Sequence, residues 1–546
     1  MRVADRPATA ARHTYTCHAA LFRFATPPLR SVRVTAAWRA WTVVMTPSPI
    51  PALDLRIRRH MRLLFVPALA LLFAGCAHRA SEVRPVTPIA VPDAFRASAT
   101  TTAVVPHWLT TFADPTLESL VREAWAANPD LRATAARLAQ SEARATQAGA
   151  TRLPSVSAEF GAARTRSNPD LGAGAQTRYS TEYNAGLGVA WEIDVWGRLA
   201  AGSRAEGAEA IAARTDLEAA HRALAAQVAR AWYRLAHDRL RLVLIEDFRR
   251  SSAITEKLLS QRFADGKSPA VDVRAARADL ARAEVDVRDR QRVMAESSRA
   301  LETLLGRYPA AELAAAEDLP PPPPSLPAGL PSDLLLRRPD LRAAATRLIA
   351  ADERLAGAEA DLLPRLSLTA SGGTRSDALR NLTDPDFLVW TLIGNLTQPL
   401  FEGGRRLAVV DEREARVREL AATWAAAAIT ALREVEDALA VSDAQRDTLP
   451  QMQTSADESQ AVVRLLQERY AAGLGDGLTL LREQRTALSR RIDLLNLRLE
   501  QLLTRIDLHQ ALGGDVTADQ RTAEERVIER DRTSPAAGVT NNERKP

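Results

Sequence analysis

Cys76 is the residue whose surroundings most clearly predict a chemical reaction. It directly follows Ala74 and Gly75, which end a short apolar run that begins after Arg62. A basic start, an apolar run and small residues before the cut are typical of a secretion signal, here residues 61–75. The cysteine after the cut predicts a lipoprotein signal, in which the thiol is acylated and begins the mature chain. A plain signal peptide with an incidental cysteine remains the alternative.

Residues 1–60 precede this signal and have no periodic pattern, so we expect them to be a non-native upstream extension and Met61 to be the true start. Residues 1–75 hold eleven arginines and two aspartates, so their removal changes the formal net charge from +5 to −4. The basic isoelectric point therefore gives no support for a nucleic-acid partner. The mature chain would keep only Cys76 of the two cysteines, which excludes an internal disulfide.

Candidate catalytic residues do not cluster in the sequence. The eight histidines are scattered, and neither an HExxH motif nor paired cysteines occur. Gly266 and Lys267 resemble the end of a phosphate loop, but the upstream position that needs glycine is Gln261. The residues therefore predict a protein that is not an enzyme and that carries no metal or cofactor.

A tandem repeat organises the rest of the chain. Residues 129–154 recur without a gap as residues 339–364, 210 positions later. Each copy is followed by two alternating segments, a Gly-Arg pair and a long Ala-rich pattern, so each unit is predicted as helix, two strands, long helix, turn and helix. A second set recurs 207 positions later: Arg262, Phe263, Gly266, Leu305 and Gly306 as Arg469, Tyr470, Gly473, Leu512 and Gly513.

Composition sets the remaining boundaries. We expect a lipid-anchored tether at 76–106, a first repeat at 107–319 and a second repeat at 332–514. The Pro-rich stretch 320–331 predicts a stiff linker between the repeats. The polar end of the chain, 515–546, is predicted to be disordered.

Four segments alternate apolar and polar residues and predict β-strands with one apolar face. Ile393 interrupts the alternation of the fourth. Such segments are typical of a lipid-facing barrel, although the edge of a soluble sandwich has the same pattern. Four strands cannot close in lipid, whereas two copies would supply about eight strands and three about twelve. The apolar sets are Val156, Ala158, Phe160 and Ala162; Tyr183, Ala185, Leu187, Val189, Trp191, Ile193 and Val195; Leu366, Leu368 and Ala370; and Leu388, Trp390, Leu392 and Leu396.

The helical patterns are unusually long. Between Gly197 and the turn at Gly266 there is no proline, which predicts a helix of about 100 Å. Single helices are expected at 117–150 and 271–306. In the second long helix, 404–472, Pro450 should kink or break the rod. Coiled-coil seams are predicted at Leu224, Val228, Ala231, Leu235, Leu242 and Ile245, with Asp238 at one seam position; at Leu280, Val287, Met294 and Leu301; and at Leu488, Ile492, Leu495, Leu499, Leu502 and Ile506.

These features resemble the outer-membrane efflux protein family of the TolC and OprM type, and in particular its lipoprotein branch, the NodT family. The likeness covers about residues 105–514. It is carried by Trp108 with Phe112-Ala113-Asp114-Pro115, Asn128-Pro129-Asp130-Leu131, Leu153-Pro154, Trp191 to Arg198, Arg338-Pro339-Asp340-Leu341, Gln398-Pro399-Leu400-Phe401 with Gly403-Gly404-Arg405, and the two helix turns.

The resemblance implies a mainly α fold with a transmembrane β-barrel, in which a homotrimer builds a twelve-stranded barrel and a long α-helical coiled-coil barrel. It implies the exit duct of a tripartite efflux system, passively conducting small molecules such as drugs. The implied partners are a periplasmic adaptor, an inner-membrane pump and outer-membrane lipid. The implied location is the outer membrane of a Gram-negative bacterium, lipid-anchored and extending into the periplasm.

The resemblance also implies that the helix turns form a periplasmic gate. The first tip, 266–273, offers Lys267 and Asp272, which falls where the family often carries an acidic residue. The second tip, 473–482, offers Asp476, Thr479 and Arg482, the last two at positions where some members have aspartate. The alternative for Asp272 is a solvated turn residue that caps the next helix.

Two other functions stay open on the sequence. One is a lipid-anchored periplasmic coiled-coil adaptor or scaffold, and the other is an exit duct for type I protein secretion. The alternating strands favour the channel, since an adaptor has no use for them. Neither the exported solute nor the class of pump, proton-driven or ATP-driven, follows from the residues.

Overall fold

The computed structural model describes residues 94–96, 108–168, 177–321 and 331–514. The upstream extension, the signal, Cys76, most of the tether, most of the Pro-rich linker and the C-terminal tail lie outside the described residues. The helices are α1 Pro115–Ala127, α2 Pro129–Ala150, α3 Arg198–Ala264, α4 Ala270–Leu304, α5 Pro331–Arg337, α6 Pro339–Ala360, α7 Arg405–Ala471 and α8 Gly477–Ala511. The strands are β1 Ser155–Ser167, β2 Arg178–Ile193, β3 Arg365–Ser376 and β4 Leu388–Thr397.

The helical hairpins of the two halves have helices of equal length. The long helices α3 and α7 each contain 67 residues and begin 207 positions apart. The returning helices α4 and α8 each contain 35 residues and have the same offset. We call two residues counterparts when they lie 207 positions apart in these helical hairpins. The offset shows that each position in one hairpin has a structural equivalent in the other.

The long helix α3 runs without interruption between two glycine-marked ends. Gly197 precedes it with a left-handed φ of 77°, and Gly266 follows its end with a φ of 68°. In the seam predicted on this helix, Leu224, Val228, Leu235, Leu242 and Ile245 are buried and Ala231 is partly buried.

The polar seam position has a partner in the returning helix. Asp238 accepts a hydrogen bond from Ser297 Oγ at 2.5 Å. Its counterpart Gln445 donates to Thr504 Oγ1 at 3.2 Å, and Thr504 is itself the counterpart of Ser297. The two hairpins therefore share a polar contact at equivalent positions.

The expectation of a single helix at 117–150 is wrong. α1 ends and α2 begins at Asn128, which has an extended ψ of 125°. Proline disfavours a helical conformation in the residue before it, and the Asn128-Pro129 pair therefore breaks the helix. The Asn128 side chain accepts from Leu131 N at 3.0 Å and donates to the carbonyl of Leu304 at 2.9 Å. The break thus ties the short helices to the end of α4.

Pro450 does not break the second long helix, because α7 continues through it to Ala471. Contacts to α8 hold the rod on both sides of the proline. Gln445 bonds to Thr504 before it, and Gln453 accepts from Arg498 after it at 2.9 Å. Packing against a neighbouring helix therefore outweighs the one backbone hydrogen bond that proline removes.

A hydrophobic core lies where α1 and the turn at Trp108–Phe112 pack against α3. Trp108, Phe112 and Tyr233 are all buried there. Asp114 connects the pieces, since it caps α1 by accepting from Leu117 N at 3.0 Å and accepts from Trp232 Nε1 at 2.8 Å. One carboxylate thus starts the short helix and fixes it to the long one.

The four strands form one antiparallel sheet in the order β1-β2-β3-β4. The pairing joins the two repeats, because β2 lies beside β3. β4 is continuous through Ile393, so the interrupted alternation did not prevent a strand. Paired residues share a face, and the register aligns Val156, Val189, Ala370 and Leu392 in one row and Ala158, Leu187, Gly372 and Trp390 in the next.

Large apolar side chains of this sheet are exposed in the single chain. Val156 is 67% exposed, Leu187 58% and Trp390 76%. Soluble monomers rarely expose contiguous apolar surface of this kind, so this face requires a cover. Within the described ranges, no helix combines the length and apolar character that a membrane span needs.

Candidate functional site

The two helix turns are built by the same backbone motif. In the first, Lys267 N donates to the carbonyl of Arg262 at 2.7 Å; in the second, Leu474 N donates to that of Arg469 at 2.9 Å. The glycine before each donor has a left-handed φ, which residues with a Cβ adopt at a cost. The glycines at the two tips, Gly266 and Gly473, therefore follow from the geometry of a helix end.

The two tips pack against each other within one chain. One apolar cluster contains residues of both hairpins. Leu259, Val273 and Ala276 come from the first hairpin, and Tyr470, Leu480 and Leu481 come from the second. We call this contact between the two tips the joint. Arg262 reaches across it and donates from Nη1 to the carbonyl of Tyr470 at 2.6 Å. Its guanidinium also lies 4.6 Å from the centre of the Tyr470 ring. A cation thus contacts both an aromatic face and the carbonyl end of a helix, which are favourable positions for positive charge.

Asp272 lies inside this joint. Its relative exposure is 4%, and it accepts a hydrogen bond from Ser268 Oγ at 3.2 Å. The interpretation of Asp272 as a solvated turn residue is therefore wrong. A Cβ on Gly477 would lie 2.9 Å from Asp272 Oδ2 and 2.8 Å from Leu259 Cδ2. The missing side chain of Gly477 leaves the space that the carboxylate occupies at the start of α8.

Asp476 caps α8. One of its oxygens accepts from Thr479 N at 2.9 Å and from Thr479 Oγ1 at 2.7 Å. These hydrogen bonds hold the pKa of Asp476 below its usual range. The negative charge at the first turn of a helix is stabilised by the helix dipole. Asp476 and Thr479 thus form one capping unit at the start of α8.

The other two predicted tip residues, Lys267 and Arg482, belong to different hairpins. Lys267 Nζ lies 3.6 Å from Asp265 Oδ2 on the same turn. Arg482 is exposed on α8. A ring of charge around an axis at this end would require further copies of the chain.

Sequence reasoning missed three residues of the joint: Arg262, Tyr470 and Gly477. A signal for the first two was present, because an arginine followed by an aromatic residue recurs in both hairpins. No sequence pattern shows that Arg262 reaches Tyr470 instead of its own neighbour Phe263. Nor does any pattern show that Gly477 faces Asp272.

The predicted family is confirmed by comparison with known proteins. The family described as outer membrane efflux protein matches residues 120–307 and 330–514. The toluene efflux pump outer membrane protein TtgF of Pseudomonas putida is 31% identical over 459 residues, covering 82% of this chain and 95% of that protein. The cation efflux system protein CusC of Escherichia coli is 29% identical, covering 82% and 97%.

Solved structures give the same result. The outer-membrane channel OprN is 27% identical, with a TM-score of 0.74, and the match covers 79% of this chain and 98% of that one. The two matched parts, 120–307 and 330–514, correspond to the two repeats and cover most of the first and all of the second. The chain therefore belongs to the outer membrane efflux protein family, whose members are the outer-membrane channels of tripartite efflux systems.

Proposed function

We propose that three copies of this chain form one exit channel with a twelve-stranded barrel in the outer membrane. The observation that carries this proposal is the four-stranded sheet with an exposed apolar face and two edge strands, β1 and β4. In lipid, the backbone groups of an edge strand must find partners, so β4 of one copy pairs with β1 of the next. Two copies would make a barrel filled by its own side chains, whereas three leave a lumen.

The helical part continues this channel across the periplasm. The 67 residues of α3 and of α7 each extend about 100 Å. In a trimer, six such rods and their returning helices line one passage. The tips would meet a periplasmic adaptor and an inner-membrane pump, which supply the energy. The chain itself conducts passively and performs no enzymatic step.

The second part of the proposal is a gate at the helical tips. Asp272 is buried between the first tip and Gly477, so opening must separate a carboxylate from the start of α8. Lys267, Asp476, Thr479 and Arg482 are the polar groups that three copies would bring around the axis. Substitution of Asp272 by lysine places a cation at a helix start, where the dipole opposes it. We expect this variant to conduct more in the closed state.

The lipid anchor completes the proposal. Acylation of Cys76 would hold the mature chain in the outer membrane of a Gram-negative bacterium through a tether that includes Phe95. Phe95 is 4% exposed and packs in a cluster of the second repeat with Trp424 and Leu341. Arg96 N donates to Glu436 Oε1 at 2.9 Å. Phe95 and Arg96 of the tether are therefore held against the second repeat.

The cargo is proposed only as a class, small molecules delivered by the pump. Similar proteins are named for toluene efflux and for cation efflux, which differ in chemistry. A passage shared by such proteins supports selection by the pump rather than by the channel.

Membrane fractionation with heated and unheated gels tests the proposal. The full chain is expressed in a Gram-negative host and labelled with palmitate, beside a Cys76→Ser control. We expect the wild type in the outer membrane, as a labelled trimer that becomes a monomer on heating, and no label on the control. A monomer in the unheated sample, or a protein confined to the inner membrane, would contradict the channel. Label retained by the control would contradict the anchor.

A further inference from the structure

We propose that the contact between the two tips of one chain is repeated between neighbouring chains, with Arg469 of one copy on Phe263 of the next. This inference rests on the proposed trimer and names the residues that join its copies. Residues on the second copy are marked below as those of the next copy. The argument depends on counterparts in the two hairpins.

The contact inside one chain defines the pattern. Arg262, at the end of α3, reaches Tyr470 at the end of α7. The counterpart of Arg262 is Arg469, and the counterpart of Tyr470 is Phe263. If the same contact forms between the counterparts, Arg469 of one copy lies against Phe263 of the next copy. Arginine over a phenylalanine ring preserves the cation–π part of the contact.

The two residues are available for this contact. Tyr470 is 3% exposed because Arg262 and the apolar cluster cover it, whereas its counterpart Phe263 is 48% exposed. Arg262 is half-buried, and its counterpart Arg469 is exposed. Tyr470 is therefore covered within one chain, whereas Phe263 and Arg469 remain exposed.

The faces of the long helices show the same difference. On α3, the side chains of Ser252, Thr255 and Leu259 are buried, and Gln484 of α8 donates to Thr255 Oγ1 at 3.1 Å. On α7, the counterpart of Thr255 is Val462, which is 40% exposed. An exposed apolar residue at this position indicates that a helix is missing from this face. Because α8 covers the equivalent face of α3, its counterpart α4, supplied by the next copy, is expected to cover this face of α7.

Charge complementarity supports that choice. Gln484 also donates to Ser251 Oγ at 3.1 Å across the joint. The counterpart of Gln484 is Arg277, on α4, and the counterpart of Ser251 is Glu458, on α7. Both counterparts are exposed in the single chain. Arg277 donates from Nε to Glu256 of its own chain at 3.0 Å, and its remaining guanidinium donors can reach a second carboxylate. The neutral hydrogen bond inside the chain therefore becomes an ion pair between copies.

Repetition of one joint explains closure. A head-to-tail contact makes a ring when its rotation closes and a filament when it does not. Each chain carries two hairpins, so three chains supply six similar joints, three within chains and three between them. The partner that the open face fits is therefore another copy of this chain.

Cysteine crosslinking tests the inference in the full-length protein. The double variant Phe263→Cys/Arg469→Cys is extracted in detergent and treated with a short bismaleimide. The matched control is Arg262→Cys/Tyr470→Cys, which places the thiols at the corresponding joint within one chain. Single variants account for any reaction with the native cysteines, Cys17 and Cys76. All samples are compared on unheated gels, for assembly, and on boiled gels, for covalent links.

We expect covalent dimer and trimer bands from the first double variant after boiling, and only a monomer band from the control. An intact trimer on the unheated gel that yields no covalent band from Phe263→Cys/Arg469→Cys overturns this inference alone. A monomer on the unheated gel for the wild type as well overturns both the inference and the proposed channel. A Glu458→Arg variant gives a second readout that does not depend on crosslinking geometry. It should lower the temperature at which the trimer dissociates, and an unchanged temperature counts against the ion pair.

Discussion

The two hairpins have the same lengths and the same turn motif, yet only one of them has its side face covered. Leu259 of α3 is fully buried, whereas its counterpart Leu466 of α7 is only partly buried. Tyr470 is covered by Arg262, whereas Phe263 is not. The difference does not arise from the helices, because these are equal in length. In the proposed trimer it arises because one chain contains both partners of one joint and a single partner of the next.

The largest effect is expected from a substitution that disrupts the contact between β2 and β3, which joins the two repeats. A Cβ on Gly373 of β3 would lie 2.2 Å from the carbonyl oxygen of Ala185 in β2. We expect Gly373→Ala to destabilise the sheet by about 3 kcal/mol and to abolish the heat-modifiable trimer. Gly372→Ala is the matched control, since a Cβ on Gly372 of β3 would lie 3.8 Å from its nearest neighbour, Trp390 Cβ, which is an ordinary contact. Equal yields of trimer from both variants would show that β2 and β3 do not approach so closely.

A smaller effect is expected where the two tips meet. Gly477→Ala would place a methyl group against Asp272 and Leu259, at a cost of about 1–3 kcal/mol. Its counterpart in the first hairpin is already alanine, Ala270, so the backbone position itself tolerates a Cβ. We expect higher closed-state conductance in planar bilayers. Gly207→Ala, in open space on α3, should leave the conductance at the wild-type value.

The two counterpart arginines should differ in effect. Arg262→Met loses a hydrogen bond to a carbonyl and a cation–π contact, together about 2 kcal/mol. We expect faster hydrogen exchange of the last turn of α7 within each chain. Arg469→Met should leave that exchange unchanged and instead weaken the trimer. If the two variants have the same exchange pattern, the joint is not divided between chain and assembly as described.

The smallest effect concerns pH, at another counterpart pair, His509 and Glu302. Burial and the nearby charge of Arg505 lower the pKa of His509 to about 3. The unfolded chain takes up a proton near pH 6.5 and the folded chain does not, so stability falls as the pH drops below about 6.5. The slope from one such group is about 1.4 kcal/mol per pH unit. We expect His509→Gln to reduce the loss of thermal stability between pH 7 and pH 5.

Glu302 is the control for this pH dependence. Burial raises its pKa, but hydrogen bonds from the backbone N–H groups of Ala311, Glu312 and Leu313 outweigh that effect and lower it. A lowered carboxyl pKa contributes stability that is lost only below the usual value near 4.5. Glu302→Gln should therefore leave the slope between pH 7 and pH 5 unchanged. A change in that slope equal to that of His509→Gln would contradict the assignment to the histidine.

Much of the fold follows from local sequence and the repeat. The long stretch without proline, with a glycine near each end, predicted α3. The alternation of apolar and polar residues predicted all four strands. The break at Asn128 could have been read from the Asn-Pro pair. The continuity of α7 through Pro450 could not, because it depends on contacts with α8 that are distant in sequence.

The site was less predictable than the fold. The position of Asp272 in the sequence marked it as a tip residue, but its burial depends on Gly477, about 200 residues away, having no side chain. The burial of Tyr470 depends on Arg262, which is about 200 residues away in the sequence, and in the proposed trimer the cover of Phe263 comes from another copy. Such information lies in the assembly and is absent from any local pattern.

Electron microscopy of the detergent-extracted full chain tests the central claim most directly. The account predicts particles of three chains around an open axis, with twelve strands at one end and six helical hairpins at the other. A folded particle that contains a single chain, or an assembly without a continuous lumen, would contradict it.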